Sequence, residues 1–174
     1  ALGTRLLSAG LGIWLLIAPW VMPLLMSNQR IVDALPYSWA ARIGIWRYVC
    51  GRIVEAPVLG SGLDASRAVT DTIVVRGVAM RAVQLHPHSG SLQIWFETGG
   101  VGALLGAAAL VAGGWAISRA VGENRAQGAA ICATLAALGL IANINYGVWQ
   151  EWWNATLVIG AACLLAIGKP AERA

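Results

Sequence analysis

The chain has 174 residues, of which 58% are apolar and only 11% charged. A soluble domain carries about 25% charged residues, so the composition excludes a soluble globular protein and points to the membrane. The net charge is +4, and nine tryptophans stand against a single phenylalanine, a bias typical of side chains that sit at the membrane–water boundary. Cys50, Cys132 and Cys163 have no paired spacing, so neither a disulfide framework nor a thiolate metal site is expected.

Leu6 to Met26 reads as a first membrane span of the roughly 20 residues needed to cross about 30 Å of hydrocarbon. Gly10, Gly12, Pro19 and Pro23 are tolerable there if neighbours satisfy the freed backbone groups. The first residue is not Met, Arg5 is followed at once by the apolar run, and no signal-peptide cleavage pattern is present. These features make the chain read as a piece of a longer polytopic protein.

Residues 27–98 form a large hydrophilic loop. Seven of the 12 basic residues lie in it: Arg30, Arg42, Arg47, Arg52, Arg67, Arg76 and Arg81. Ser38 is placed as the N-cap of a helix running to about Glu55. Trp39, Ile43, Trp46, Cys50 and Ile53 recur at helical spacing along it and form one apolar stripe, with Arg42 and Arg47 at its two edges. Pro57 stops this helix, and Leu59 to Gly62 is a turn. The signal from Leu63 to Leu85 is weak, with Thr72 to Val78 as its one extended stretch.

Ser91 is placed as the cap of a short helix, with Leu92, Trp95 and Phe96 on one side and Gln93 and Glu97 on the other. A second span follows over 99–118, where Gly102-x-x-x-Gly106 lets another helix approach closely. Arg119 to Arg125 is a polar connector, 127–146 a third span, Gly147 to Asn154 a Trp-rich interfacial turn, and 154–168 a short fourth span. The expected architecture is therefore all-α, with four membrane helices and one large, partly helical loop. Arg5, Arg119, Arg125, Lys169 and Arg173 fall on one side, which the positive-inside rule makes cytoplasmic. The arginine-rich loop is then external and in need of an anionic partner. No metal spacing, Walker loop, nucleophile elbow or nucleotide fingerprint is present, so no metal, cofactor or nucleic acid is expected.

His86 and His88 are the only two histidines, and they flank Pro87. His88 comes just before a helix N-terminus, whose partial positive charge of about +0.5 disfavours imidazolium and suits a neutral base. The alternative is a capping or hydrogen-bonding loop histidine, and His86 has the same two readings. Arg42 and Arg47 offer planar forks for phosphate oxygens, or else pair with Glu55 or Asp33 or meet anionic lipid. Glu97, one turn from Gln93, either orients His88 or takes a sugar hydroxyl, or is a solvated face residue.

His88-Ser89, nine residues, Gly99, two residues, Gly102 resembles the histidine motif of the O-antigen ligase and polymerase superfamily. Ser38-x-x-x-Arg42-x-x-x-Trp46 followed by Pro57-x-x-Gly60-x-Gly62 is similar to the other landmark of that family. Arg81-x-x-x-Leu85 matches a further family motif in form but not in place. The resemblance implies the C-terminal part of a metal-independent glycosyltransferase of the GT-C type in the bacterial inner membrane, with its active loop in the periplasm. The implied donor is a glycan on an undecaprenyl-diphosphate carrier, and the acceptor lipid A-core, another glycan or a protein. It also implies that His88 is the base and that Arg42 holds the donor diphosphate, with Arg47, His86, Gln93 and Glu97 as candidate substrate contacts. The competing class is a non-catalytic polytopic protein, part of a transporter or a lipid-binding scaffold.

Overall fold

The structure, a computed structural model, describes residues 2–122 and 124–167. In chain order it comprises α1 (Leu2–Leu25), α2 (Gln29–Ala34), α3 (Tyr37–Glu55), α4 (Ala65–Ala68), β1 (Thr72–Val75), β2 (Val78–Arg81), α5 (Gly90–Val121), α6 (Arg125–Ile144) and α7 (Glu151–Ile167). Helices α1, α5 and α6 are long and apolar enough to cross a membrane. The expected fourth span corresponds to α7, which has 17 described residues, fewer than the roughly 20 a span requires. The expected end of that span at Gly168, and the basic Lys169 and Arg173, lie outside the described residues.

Helices α1 and α5 share the main interface. Small residues let them touch: a Cβ built on Gly114 would lie 2.3 Å from Ser8 Oγ, and one on Gly106 3.0 Å from a Leu15 methyl. Gly102 serves its own helix instead, because a Cβ there would overlap Thr98 Oγ1. Pro19 lies inside α1 and cannot donate to the carbonyl four residues back. That carbonyl, Leu15 O, accepts from the Trp95 indole at 2.7 Å, so an α5 tryptophan repairs the α1 ladder. At the other end, Arg5 Nε donates to Ser118 Oγ at 2.7 Å, and Arg5 and Arg119 both face the Trp115 ring.

The break in α5 organises the external part. Gly99 has φ 62° and ψ −162°, a region open essentially to glycine. The break exposes carbonyls of the first half and N–H groups of the second, which must find partners. The loop after α3 supplies four of them. Ser61 and Gly62 donate to Phe96 O and Glu97 O at 2.8 and 3.0 Å, and Gly100 and Val101 donate to Pro57 O and Val58 O at 2.8 and 3.2 Å. The turn expected at Leu59 to Gly62 is therefore a backbone clasp around a split helix. Gly60 lies so close that a Cβ would stand 2.6 Å from Glu97 C.

Two expected caps are corrected. Pro36 occupies the N-cap of α3, and Ser38 lies within the helix. Ser89 is the N-cap of α5, its hydroxyl accepting from Leu92 N, which frees Ser91 to donate to Asn143 Oδ1 at 2.7 Å. The all-α expectation also needs amendment. β1 and β2 form an antiparallel hairpin with Val75 opposite Val78, closed by Arg76 and Gly77 at φ 49° and 79°. Positive φ at both turn residues matches the right-handed strand twist. Strands of four residues are too short to show a clear alternation, which explains the weak sequence signal. The Arg76 guanidinium then caps the last carbonyls around α2, donating to Val32 O, Asp33 O and Leu35 O at 2.8, 2.7 and 2.7 Å.

Replacing Gly99 by Ala combines a forbidden dihedral with a Cβ 2.3 Å from Val58 O and is expected to cost about 3 kcal/mol. Gly113→Ala, where nothing lies within 4 Å, is expected to be neutral or slightly stabilising. Thermal unfolding of the two variants in one detergent checks the contrast.

Candidate functional site

The site is built on the segment that joins the hairpin to α5. Pro87 is fully buried, and its carbonyl accepts from the Trp46 indole of α3 at 2.8 Å. Trp46 stands one turn beyond Arg42, so the bond that pins the histidine segment also brings it to the arginine-bearing face of α3. His88 takes φ 56°. That left-handed turn lets its N–H donate to His86 Nδ1 at 3.2 Å, and the rings meet edge to face with centroids 4.5 Å apart.

The hydrogen bonds settle how each ring carries its proton. His86 Nδ1 accepts, so the proton of its neutral ring is on Nε2. His88 Nδ1 lies 2.9 Å from the Asn145 carbonyl. A carbonyl only accepts, so Nδ1 carries hydrogen and Nε2 keeps a lone pair. His88 is half-buried. Burial holds its pKa below the ordinary value; the bond to Asn145 pulls upward, and the Arg42 charge pushes down again. The sequence reading attributed a neutral ring to the helix dipole, whereas the causes found here are burial and Arg42. His86 is pushed further, to about 4, by burial, then by His88 and Arg67.

Arg42 lies half-buried on α3. Its guanidinium stands over the Trp39 ring at 5.3 Å, and Nη1 donates to Ser38 O at 3.3 Å. Its buried Nε has no hydrogen-bond partner among the described residues. The structure thus assembles a neutral imidazole with a free nitrogen and a cation with donor capacity to spare, close enough to interact electrostatically.

Arg47 is not part of this assembly. It lies five residues, about 140° of helix rotation, beyond Arg42. There it donates to Gln29 Oε1 at 3.1 Å and to Met26 O, tying α3 to the end of α1. It lines a separate cleft of about 210 Å³ together with Arg76.

Glu97 and Gln93 are 1% and 2% exposed, so Glu97 is not a solvated face residue. Its carboxylate accepts from Asp64 N, Ser66 Oγ, Gln93 Nε2 and Trp149 Nε1 at 2.9, 2.5, 3.0 and 2.5 Å. Gln93 Oε1 accepts from Val148 N at 2.8 Å. Both side chains join α5 to the loop before α4 and the turn before α7. Gln93 lines a cavity of about 30 Å³ beside His86, walled also by Arg67, Gly147 and Trp149, and Glu97 lies behind it.

Four contributors were not visible as such in the sequence. Asn145 acts through its backbone carbonyl, which no side-chain pattern reports. Asn143 Oδ1 gathers Ser91 and, at 3.2 Å, the Trp14 indole. Gly147 lets the His86 ring pack on its backbone, as a Cβ there would meet His86 Cβ at 2.9 Å. Trp46 stands in the sequence in the apolar stripe and in the Arg-x-x-x-Trp pattern, neither of which shows that its indole holds the Pro87 carbonyl.

The chain is similar to curated proteins named "Putative polysaccharide ligase". It is 31% identical to one from Rickettsia conorii over 137 residues, 76% of this chain and 33% of that protein. It is 29% identical to one from Rickettsia bellii over 139 residues, covering 76% and 33%. A third, from Rickettsia typhi, is 30% identical over 122 residues, covering 67% and 29%. The chain therefore spans about a third of the length of the curated relatives it matches. No family model matches the chain, and no solved structure matches it.

The depressed His86 pKa carries a stability signature. Between the ordinary 6.5 and about 4 the unfolded chain binds a proton that the folded chain does not. Stability is then complete above about pH 6.5 and is lost as the pH falls toward 4. Thermal unfolding midpoints in detergent are expected to decline across that window, and His86→Gln is expected to flatten the decline. Trp46→Phe, which strands the buried Pro87 carbonyl, is expected to cost about 1–3 kcal/mol in the same assay.

Proposed function

We propose that this chain carries the acceptor-activating part of a glycosyltransferase of the O-antigen ligase or polymerase type. The donor in this reading is a glycan on an undecaprenyl-diphosphate carrier, and the acceptor is a hydroxyl of lipid A-core, another glycan or a protein. The reaction takes place at the periplasmic face of the bacterial inner membrane. The observation that carries the reading is the pairing of His88 with Arg42. The Asn145 carbonyl leaves Nε2 of His88 as the basic nitrogen, and the charge of Arg42, which keeps an unused buried donor, acts on the same ring. The names of the Rickettsia relatives support a polysaccharide as substrate.

In the proposed step the acceptor O–H gives its proton to His88 Nε2 as the oxygen attacks the anomeric carbon of the donor. The bond from that carbon to the diphosphate oxygen breaks, and its electron pair leaves on the diphosphate. Arg42 stabilises the charge on the departing group, since a guanidinium matches phosphate oxygens with parallel N–H donors and a preorganised cation favours the transition state over the ground state. The imidazolium formed is stabilised by Nδ1–H on Asn145 O, and burial beside Arg42 makes it release the proton readily for the next cycle. His86 holds the His88 backbone, while Gln93 and Glu97 hold the wall beside it.

The test uses the intact protein with a lipid-diphosphate-linked glycan and measures transfer to the acceptor. His88→Ala and Arg42→Ala are each expected to lower the rate at least about 10²-fold, with membrane insertion unchanged. Wild-type transfer by both variants rejects the reading and favours a non-catalytic membrane protein.

A further inference from the structure

The clasp around Gly99 presents a surface that the proposed chemistry does not use. Ala56 to Leu63 contains no charged side chain. Val58, Leu59 and Leu63 in it are 63%, 72% and 72% exposed, and Val54 at the end of α3 is 71% exposed. A water-facing loop built this way exposes clustered apolar surface with nothing to offset it.

Much of its backbone, though not that of Leu59 and Leu63, has the opposite character. The carbonyls of Ala56, Pro57, Val58 and Gly62 accept from the N–H groups of Gly60, Gly100, Val101 and Ala65, while Ser61 and Gly62 donate to Phe96 O and Glu97 O. Pro57 has no N–H to satisfy. Irregular backbone is tolerated at membrane depth when its polar groups are met by protein in this way. The depth itself is given by the partners: Gly100 and Val101 open the apolar part of α5, a helix long and apolar enough to span the membrane. Val101, Leu104 and Leu105, which follow on the same helix, are 47%, 61% and 66% exposed. Exposed ion pairs bracket the loop, Arg52 with Glu55 before it and Asp64 with Arg67 after it, at 2.7 and 3.0 Å.

We propose that Ala56 to Leu63 is a re-entrant apolar tip whose partner is the lipid bilayer. Val58, Leu59 and Leu63 rest among the acyl chains of the leaflet where the apolar part of α5 begins, and the two bracketing ion pairs lie at head-group level. The tip holds the broken helix, and with it the histidine segment, at a set height on the membrane. It does so whether or not the chain transfers sugars.

Nitroxide labels at Leu59→Cys and, separately, Leu63→Cys test this in the intact protein, with the native cysteines replaced and the protein reconstituted in phosphatidylcholine–phosphatidylglycerol nanodiscs. Collision rates with oxygen and with a polar nickel chelate are compared with labels at Leu104→Cys in α5 and Val78→Cys in the hairpin. Polar complexes are excluded from hydrocarbon, so nickel contact at both tip positions is expected to fall about tenfold below that at Val78, with oxygen contact like that at Leu104. Nickel contact equal to that at Val78 overturns the proposal. Shielding from both reagents also overturns it, because the tip is then packed against protein.

Discussion

A helix broken at one glycine sets the geometry of everything external to the membrane. At Gly99 the chain leaves the helical region, and a buried backbone break is tolerable only if each freed group is paired. The Pro57 to Gly62 loop pairs groups on both sides at once, accepting from the second half-helix and donating to the first. Four backbone bonds thus bind the end of α3 to the middle of α5. Because α3 carries Arg42 and the first half of α5 follows directly from His88, this clasp ties the helix that bears the cation to the helix that follows the imidazole. Gly60 and Gly99 are required by contact distance, since their built Cβ atoms come within 2.6 and 2.3 Å of the opposing backbone.

Two further interactions align the pieces that the clasp joins. The Trp46 indole holds the carbonyl between the two histidines, and Glu97 gathers four donors from three separate segments into one buried carboxylate. A buried carboxylate with so many partners acts as a rigid hub; removing any one donor leaves charge poorly compensated. The chemistry of the site is then a matter of protonation set by neighbours. Each histidine Nδ1 has a partner that fixes its role: His86 Nδ1 accepts from His88 N, and His88 Nδ1 meets the Asn145 carbonyl.

Much of this was readable in the residue pattern. Hydropathy marked out α1, α5 and α6 to within a few residues, because membrane helices need long apolar runs and little else looks like them. The stripe through Trp46 and the helix ending before Pro57 followed from helical period and a helix breaker. Other features resisted. The hairpin is two strands of four residues, too short for period-two alternation to stand out. The N-cap of α5 is Ser89, although Ser91 two residues later carries the same hydroxyl. Arg42 and Arg47 look equivalent at the edges of one stripe, yet one meets the histidine segment and the other ties down the end of α1.

By itself, the sequence determined a membrane protein with an arginine-rich hydrophilic segment between apolar runs, since composition and run length answer to the solvent each segment must occupy. It also made His88 and Arg42 candidates, through the resemblance of their motifs, while residue type alone left each with a structural alternative. Only the tertiary structure decided that Glu97 and Gln93 are a frame, that Arg47 stands apart, and that Asn145 orients His88. Those outcomes rest on backbone carbonyls and on contacts between residues 18 to 57 positions apart, and no local pattern of side chains encodes which of them will meet.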